Sequence, residues 1–256
     1  MKLAPEIHVT EWGAGVRAVL VHGGDPFGGA STFSEQETLA ERWHLIVPDR
    51  PGHGNTPRQG REDFEHHAEL LAPLLDDEST HLVGHSYGGM VALYMAMAHP
   101  DNVRSLTLME VPWFGLAPDN PAVQEMSRAN RELFANPPDD PLVTVKTFTQ
   151  LVGLDLPLPD DIPNPRPEFI VNMARDLTEI RSPDEADIPV DALTSGGYPV
   201  LVLTSGRIAG FEGIAAALVE KVGAEHVVVP RTDHQVPKGA SVNGLLERLW
   251  VTAKPH

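Results

Sequence analysis

The chain contains no cysteine among its 256 residues. This absence excludes disulfide bonds, thiolate catalysis and any metal site built from cysteine, and it leaves the redox compartment open. Basic residues are also few, because 19 Lys and Arg stand against 36 Asp and Glu, which gives a formal net charge of −17. Such a charge disfavours nucleic acid or an anionic membrane surface as a partner.

Long hydrophobic runs are missing as well. No apolar stretch approaches the length of a membrane span, and the start, Met1 to Glu6, lacks the apolar run of a signal peptide. By default we expect a cytoplasmic protein with no membrane partner. A length of 256 residues is sufficient for one large α/β domain with a buried core and a small insertion.

The most informative segment runs from Leu82 to Met90. An apolar strand passes directly into Gly84-His85-Ser86-Tyr87-Gly88 and then into a helix-forming run. A Gly-x-Ser-x-Gly pattern between a strand and a helix predicts a nucleophile elbow, in which a strained turn holds a serine hydroxyl clear of the backbone. The glycines suit this turn because it brings backbones close together. Ser86 is therefore the candidate nucleophile.

Strand-like and helix-like segments alternate along most of the chain. The predicted strands are short and apolar, and amphipathic segments lie between them. This alternation predicts an α/β protein with a mostly parallel, doubly wound sheet, whose functional residues gather at the carboxyl ends of the strands. The predicted strands are residues 16–21, 43–47, 80–84, 103–109, 198–204 and 226–229, and the predicted helices are residues 34–42, 64–75, 90–99, 211–222 and 242–251.

The pattern changes between residues 112 and 195. Proline is dense in this segment, and three amphipathic stretches, 123–134, 143–151 and 168–179, are helical in pattern without a strong strand between them. A long linker is the alternative, but three apolar faces favour a packed helical lid over disorder. We therefore predict a core formed by residues 1–111 and 196–256 and an inserted lid, or cap, formed by residues 112–195.

Four motifs follow one another in order: His22-Gly23-Gly24, Asp49 to Gly54, Gly84 to Gly89, and a late His234. In this order and spacing the chain resembles the α/β-hydrolase superfamily over almost its whole length. The resemblance implies that fold, with a lid inserted between the strands that the family counts as sixth and seventh. It also implies a strand ahead of Val16, where this sequence has room only for a shortened strand or none.

The resemblance also implies a base. Members of the family carry serine, acid and histidine in that order, and His234 follows the last predicted core strand. An imidazole pKa of about 6.5 suits a group that must take and return a proton near neutrality. The eleven other histidines lack this position.

The acid departs from the commonest family pattern. Most members carry an aspartate in a turn just past the seventh strand, and alignment of residues 199–208 puts Ile208 at that position. Isoleucine cannot orient an imidazolium ion. The carboxylate must therefore come from another part of the chain.

Some family members carry the acid at the end of the sixth strand instead. Here Glu110 directly follows the apolar segment 106–109, at the carboxyl-end rim near the elbow. We therefore predict that Glu110 orients His234. A lid-hinge or salt-bridging role for Glu110 is the alternative, with Glu212 and Asp233 as lesser candidates for the acid.

In the family, two backbone N–H groups form the oxyanion hole, which binds negative charge on the carbonyl oxygen. One belongs to the residue after the nucleophile, here Tyr87, and the other to the residue after the His-Gly pair, here Gly24. An ordinary glycine turn is the alternative for the second. We expect His22 to be structural beneath this loop, and the segment 49–54 to be a turn that shapes the site wall.

Apolar residues of the lid could line the pocket or could form the core of the lid. The candidate substrate contacts are Phe27, Trp113 and Phe114. No metal or organic cofactor is needed for triad chemistry, and no cluster of His, Asp and Glu has convincing ligand spacing. We expect a small-molecule substrate and a monomer or homodimer.

The leading functional interpretation is a serine hydrolase that cleaves a small or medium, largely apolar carboxylic ester or lactone through an acyl-serine intermediate. A thioesterase, a C–C bond hydrolase, a cofactor-free haloperoxidase or a cyclase on the same fold is the alternative. A non-catalytic small-molecule-binding protein is a third class, because fold does not fix function.

Overall fold

The computed structural model describes residues 6–75, 79–159, 162–230 and 232–254. Residues 1–5, which belong to the segment that lacks the apolar run of a signal peptide, lie outside this described part. Each of the six predicted strands is present with its ends shifted by no more than two residues. A further strand of four residues precedes them, where the sequence left room only for a shortened one. The strands are β1 (Val9–Trp12), β2 (Val16–Val21), β3 (Trp43–Pro48), β4 (Thr80–His85), β5 (Val103–Met109), β6 (Val200–Thr204) and β7 (Glu225–Val228).

The strands form one sheet in the order β1-β3-β2-β4-β5-β6-β7. Among the described residues, the short edge strand β1 is antiparallel to its neighbour, and every other adjacent pair is parallel. The predicted α/β class with a mostly parallel sheet is thus confirmed. After β2 the chain continues to β3 on one side, and after β4 it continues to β5 on the other side. The loops at the carboxyl ends of β2 and β4 therefore separate and leave a crevice between them.

Nine α-helices accompany these strands in the described part of the chain. The predicted helix 34–42 is instead a 3-10 helix, Ser34–Glu41, and the predicted helix 64–75 ends its α-helical part at Leu71. Pro73 explains the second difference, because proline has no N–H and clashes with the preceding turn of an α-helix. The helices are α1 (Gly29–Thr32), α2 (Phe64–Leu71), α3 (Tyr87–Ala98), α4 (Pro121–Ala135), α5 (Pro141–Val152), α6 (Glu168–Glu179), α7 (Val190–Thr194), α8 (Ala209–Val222) and α9 (Val242–Thr252).

Both faces of the sheet are buried. Along β2, Val19 and Val21 point into a core built with α2, α3 and α8, whereas Ala18 and Leu20 point into a second core built with α9. This alternation follows from the period of two along a strand. Trp250 of α9 is fully buried in the second core. A sheet covered on both sides positions its loops firmly at the carboxyl edge, where the site lies.

The predicted lid segment contains helices α4 to α7 and no strand in residues 112–159 and 162–195. The two helices α5 and α6 share a small apolar cluster of their own, formed by Leu142, Val145, Ile170, Met173 and Ala174. Helix α4 packs against α8 of the core. Among the helices of the described residues, none combines the length and the apolar character needed to span a membrane.

Candidate active site

Ser86 lies in the tight turn between β4 and α3. Its backbone has φ 51° and ψ −127°, and residues other than glycine rarely adopt a positive φ of this kind. A Cβ atom added to Gly84 would lie 2.6 Å from the Cα of Gly89, and one added to Gly88 would lie 2.2 Å from the carbonyl oxygen of His22. The turn therefore requires glycine at both positions, and it presents the half-buried serine hydroxyl at the sheet edge.

His234 connects this serine to a carboxylate. Its Nε2 lies 3.0 Å from the Ser86 Oγ, and its Nδ1 lies 2.5 Å from Oε2 of Glu110. Because a carboxylate can only accept a hydrogen bond, Nδ1 carries the ring proton and Nε2 presents a lone pair to the serine hydroxyl. The loop after β7 thus places an imidazole acceptor beside Ser86.

Glu110 follows β5 in a second left-handed backbone conformation, with φ 45°. Its N–H donates to the carbonyl oxygen of Leu203, 3.0 Å away, so the residue remains attached to the edge of β6. Its Oε1 accepts from the backbone N–H of Ser205 at 2.8 Å and from the Ser205 hydroxyl at 2.5 Å. The carboxylate is buried, and both of its oxygens are hydrogen-bonded.

The other two carboxylates considered from the sequence lie elsewhere. An oxygen of Glu212 is 3.7 Å from Nε2 of His226. Asp233 accepts hydrogen bonds from the N–H groups of Asp155 and Gln235. The structure therefore brings Glu110, and neither of these two, to the ring of His234.

Neighbouring side chains hold His234 in position. The ring of Phe211 stacks on it with a centroid distance of 5.2 Å and an interplanar angle of 16°. The carbonyl oxygen of His234 accepts from Nε2 of His85 at 2.7 Å, and the N–H of His234 donates to the carbonyl oxygen of Gly153 at 3.1 Å. Burial lowers the pKa of His85 to about 3, so this second imidazole is neutral near pH 7. The orientation of His234 is therefore fixed by its neighbours from both sides.

The loop after β2 passes directly over the serine. A Cβ atom at Gly23 would lie only 2.7 Å from the Ser86 Cβ, and Gly24 lines the same cavity as Ser86. Neither the N–H of Gly24 nor that of Tyr87 has an acceptor within the described part of the chain. Two N–H groups near the serine are thus free to bind a ligand oxygen.

Arg50 holds the loop after β2 in place through hydrogen bonds to His22 and Gly23. Its guanidinium donates to the carbonyl oxygens of His22 and Gly23 at 2.8 and 2.7 Å, and its backbone N–H donates to Nε2 of His22 at 2.9 Å. Burial lowers the pKa of His22 well below its ordinary value, so the ring acts as a neutral acceptor. The expectation that His22 is structural beneath the loop is confirmed.

The cavity in front of Ser86 extends between the core and the helices of residues 112–195. Pro26, Pro112 and Phe211 line it from the core side and the hinge. Most of the lid residues that line it are apolar: Met126, Phe134, Phe148, Val152, Met173 and Leu177. Such a surface binds apolar groups by removing them from water.

None of the three predicted substrate contacts is among the described residues that line this cavity. Phe27 is 68% exposed and packs its ring against Phe169 at the surface. Trp113 and Phe114 are buried in the main core, where they anchor the start of the lid segment. For Trp113 and Phe114 the physical reason is that large aromatic rings gain most from full burial, which removes them from the cavity surface. As substrate contacts the three residues therefore stay predictions that the cavity lining does not support.

Three polar residues at the cavity wall were missed by sequence reasoning. His53, Glu62 and Asp176 come from three separate segments, yet one ligand atom of each lies within 4.8 Å of the others. Burial raises and the Arg50 guanidinium lowers the pKa of Glu62, and the net effect brings it to about 2. Of the groups in the described part of the chain, this set has the composition to hold a metal ion. Only the tertiary fold assembles it, so no sequence spacing could have revealed it.

The fold and the elbow geometry define an α/β hydrolase. A family model described as the alpha/beta hydrolase fold matches residues 17–157, more than half of the chain, and the chain belongs to this family. Its resemblance to the superfamily is thereby confirmed.

Similar proteins include several enzymes. Pimeloyl-[acyl-carrier protein] methyl ester esterase of Aeromonas hydrophila subsp. hydrophila is 35% identical over 122 residues, which are 44% of this chain and 47% of that protein. The dihydrolipoyllysine-residue acetyltransferase component of the acetoin cleaving system of Pseudomonas putida is 31% identical over 251 residues, covering 89% of this chain and 60% of that protein. The chain thus matches less than two thirds of the length of each of these relatives.

Among solved structures, Est816, an N-acyl homoserine lactone degrading enzyme, superposes with a TM-score of 0.65. It is 21% identical to this chain, and the alignment covers 94% of this chain and 96% of that one. At this identity the likeness concerns the fold alone.

Proposed function

We propose that the protein is a serine hydrolase that cleaves a small or medium, largely apolar carboxylic ester or lactone through an acyl-serine intermediate. The observation that carries this proposal is the continuous hydrogen-bonded chain from Ser86 through His234 to Glu110, which ends at an apolar cavity. A serine hydroxyl is a weak nucleophile unless a base takes its proton, and His234 is placed to act as that base.

In the first half of the reaction, the Ser86 Oγ attacks the ester carbonyl carbon while its proton moves to Nε2 of His234. A C–O bond forms, and the carbonyl oxygen becomes an oxyanion. Glu110 stabilises the imidazolium ion through the Nδ1–H hydrogen bond. Collapse of the intermediate breaks the bond to the leaving alkoxide, which takes the proton from His234. In a lactone the leaving alkoxide stays tethered to the acyl group.

In the second half, water attacks the acyl-serine and gives its proton to His234. The ester bond to Ser86 breaks, the serine regains its proton, and the carboxylic acid leaves. Each step uses only side chains and backbone groups of this chain together with substrate and water.

The free N–H groups of Gly24 and Tyr87 are suited to bind the oxyanion. Hydrogen-bond donors of this kind are each worth about 3 to 4 kcal/mol of transition-state stabilisation. They are preorganised here, because Arg50 fixes the loop of Gly24 and helix α3 fixes Tyr87. Little reorganisation is then required when charge develops.

Relatives support the choice of bond. The Aeromonas hydrophila relative is named as a methyl ester esterase, and Est816 is described as degrading a lactone. The apolar cavity lining favours a mainly hydrocarbon acyl or alkyl group. We further propose that residues 112–195 act as a cap over this cavity, that the protein works as a monomer or homodimer, and that it needs neither a nucleic-acid nor a membrane partner.

The first experiment treats purified protein with a fluorophosphonate probe and maps the labelled residue by mass spectrometry. We expect labelling at Ser86, none in Ser86→Ala, and slower labelling in Glu110→Gln. Ser195→Ala, which alters an exposed serine, is the matched control and should label like the wild type.

A substrate panel then distinguishes the bond that is cleaved. Matched ester, lactone, thioester and diketone substrates are compared by kcat/KM, and we expect the oxygen esters or lactones to be the fastest. Faster cleavage of the thioester or the C–C bond would reassign the reaction on the same site. A folded protein that neither labels nor turns over any of them would contradict the proposed hydrolase.

A further inference from the structure

The cavity in front of Ser86 has a polar end formed by His53, Glu62 and Asp176, hereafter the acceptor cluster. His53 lies in the loop after β3, Glu62 lies just before α2, and Asp176 belongs to α6 of the lid segment. Their ligand atoms lie within 4.8 Å of one another in an otherwise largely apolar cavity. The proposed mechanism does not use any of these three residues.

The hydrogen bonds of His53 define its protonation. Its Nδ1 lies 3.2 Å from the carbonyl oxygen of Pro51. Because a carbonyl oxygen can only accept, Nδ1 carries the proton and Nε2 presents a lone pair. Burial lowers the pKa of His53 to about 4, so the ring stays neutral at pH 7.

His53 lines the cavity, and its Nε2 has a lone pair that no donor among the described residues uses. The residue is only 2% exposed, and Nε2 lies 3.9 Å from the nearest oxygen of Glu62, beyond hydrogen-bond distance. In the described part of the chain Nε2 has no hydrogen-bond partner, although the ring lines the cavity. A ligand that supplies a donor to this lone pair gains a hydrogen bond that no described residue provides.

The two carboxylates of the cluster already have cationic partners. Glu62 is paired with the buried guanidinium of Arg50, and Asp176 is paired with that of Arg58. Their negative charges are thus compensated within the protein, and a cation placed between them would also meet the repulsion of the two guanidinium groups. The cluster therefore offers acceptor lone pairs without a net negative charge. This combination favours a neutral hydrogen-bond donor over a metal ion or an ammonium group.

We propose that the acceptor cluster binds a neutral hydroxyl or amide N–H group of the substrate, separate from the ester carbonyl that Ser86 attacks. The inference rests on the proposed hydrolase function and specifies its substrate class, which is an ester or lactone whose mainly apolar chain carries one hydrogen-bond donor. A site built to receive a donor discriminates against analogues that lack it, because its acceptors then stay unpaired.

The test compares matched ligands of increasing chain length. Ethyl esters of ω-hydroxyalkanoic acids are compared with their ω-methoxy and unsubstituted counterparts, and ω-acetamido esters with their N-methylacetamido counterparts. Dissociation constants are measured by calorimetry on Ser86→Ala, and kcat/KM is measured on the wild type. At the chain length that spans the cavity, we expect the hydroxyl or amide member to bind about tenfold more tightly than its donor-free counterpart.

Variants assign any preference to the cluster. His53→Leu, made in the Ser86→Ala background, removes the free acceptor and should abolish the tenfold preference, whereas His53→Gln retains a side-chain acceptor and should retain part of it. Phe134→Leu, at the apolar wall of the same cavity, is the matched control and should change the affinities of both members of a pair alike. Circular dichroism verifies that each variant is folded.

The outcomes separate the two proposals. Equal binding of the paired ligands at every chain length, or no binding of any hydroxyl or amide member, overturns the acceptor cluster as a donor site. Stoichiometric binding of Zn²⁺ or Mn²⁺ to the wild type that is lost in His53→Leu also overturns it, in favour of a cation site. A donor preference in Ser86→Ala with no ester turnover by the wild type contradicts the hydrolase function and leaves the donor site supported.

Discussion

Ser205 donates both its backbone N–H and its hydroxyl to the same oxygen of Glu110, at 2.8 and 2.5 Å. The other oxygen of that carboxylate faces the ring of His234. Ser205 directly follows β6, in the turn where most members of the family carry the acid itself. In this chain the turn supplies donors to a carboxylate that comes from the neighbouring strand. Ser205 is thus a positioning residue for Glu110.

We expect Ser205→Ala to lower kcat by about 10- to 100-fold with little change in KM, because a hydrogen bond to a charged group is worth about 1.5 to 3 kcal/mol. Ser205→Thr retains the hydroxyl and should restore most of the rate. Steady-state kinetics on a good ester substrate provide the measurement. A rate for Ser205→Ala equal to that of the wild type would show that the backbone N–H alone orients Glu110.

The second prediction concerns the carboxylate itself. Glu110→Gln replaces an acceptor of the Nδ1–H bond by an amide that can face His234 with its own N–H group, which disfavours the required tautomer. We expect turnover to fall by about two orders of magnitude or more while the protein stays folded. Turnover is measured by kcat, and folding by circular dichroism.

Glu212→Gln and Asp233→Asn are the matched controls, since both alter carboxylates whose partners lie away from the ring of His234. We expect each to retain at least about a third of the wild-type rate, which corresponds to well under 1 kcal/mol. The opposite ranking, with near-normal turnover in Glu110→Gln, would refute the assignment of the acid.

The sequence predicted the elements of this site that depend on local structure. An apolar strand followed by Gly-x-Ser-x-Gly and a helix determines where Ser86 stands, because sterics at the turn leave few conformations. Glu110 was predicted as the acid from the family resemblance, because some members carry the acid at the end of this strand, and its place after an apolar strand puts it at the carboxyl edge of a parallel sheet. Parallel register then brings Glu110 next to β6 without any further information.

Other features depended on packing between distant segments. The acceptor cluster requires α6 to lie over the loop of His53, and the hydrophobic pattern of α6 does not specify that docking. For Trp113 and Phe114, an aromatic side chain near the lid hinge could face the cavity or the core, and burial favoured the core. Their sequence positions alone could not distinguish these two environments.

The third prediction compares two helical glycines. A Cβ atom at Gly88 in α3 would lie 2.2 and 2.3 Å from the backbone oxygens of His22 and Val21, and neither backbone segment can move without displacing β2. We expect Gly88→Ala to destabilise the fold by about 3 kcal/mol or more, or to prevent soluble expression. Gly244 in α9 has open space around its Cβ position. Gly244→Ala should therefore stabilise the protein by up to about 1 kcal/mol, because alanine favours a helix.

Urea unfolding of both variants measures this difference. Helix propensity changes in the same direction in both substitutions, so it cannot cause opposite changes in unfolding free energy. Opposite changes would therefore report the close approach of α3 to β2. A Gly88→Ala variant as stable as Gly244→Ala would mean that the elbow helix does not pack against that strand as closely as the structure places it.

The last prediction concerns acid sensitivity. Burial is the largest cause that lowers the pKa of five histidines, to about 4 for His53, to about 3 for His67, His81 and His85, and well below the ordinary value for His22. In the unfolded chain each titrates at about 6.5, so below that pH the unfolded state binds more protons than the folded state. Their contribution to stability is complete above pH 6.5 and is lost progressively as the pH falls towards the folded pKa values.

Between pH 7.5 and 5.5 each of these histidines should cost on the order of 1 kcal/mol of unfolding free energy, and the five together should cost several kcal/mol. Glu62, whose pKa is lowered to about 2, loses its contribution only below its ordinary value of 4.5 and stays outside this window. Urea unfolding at the two pH values measures the loss. His81→Phe keeps the stacking on Trp250 and should reduce the loss by about a fifth, whereas the exposed His66→Gln should leave it unchanged. Equal stability at both pH values would mean that the buried rings become protonated without unfolding.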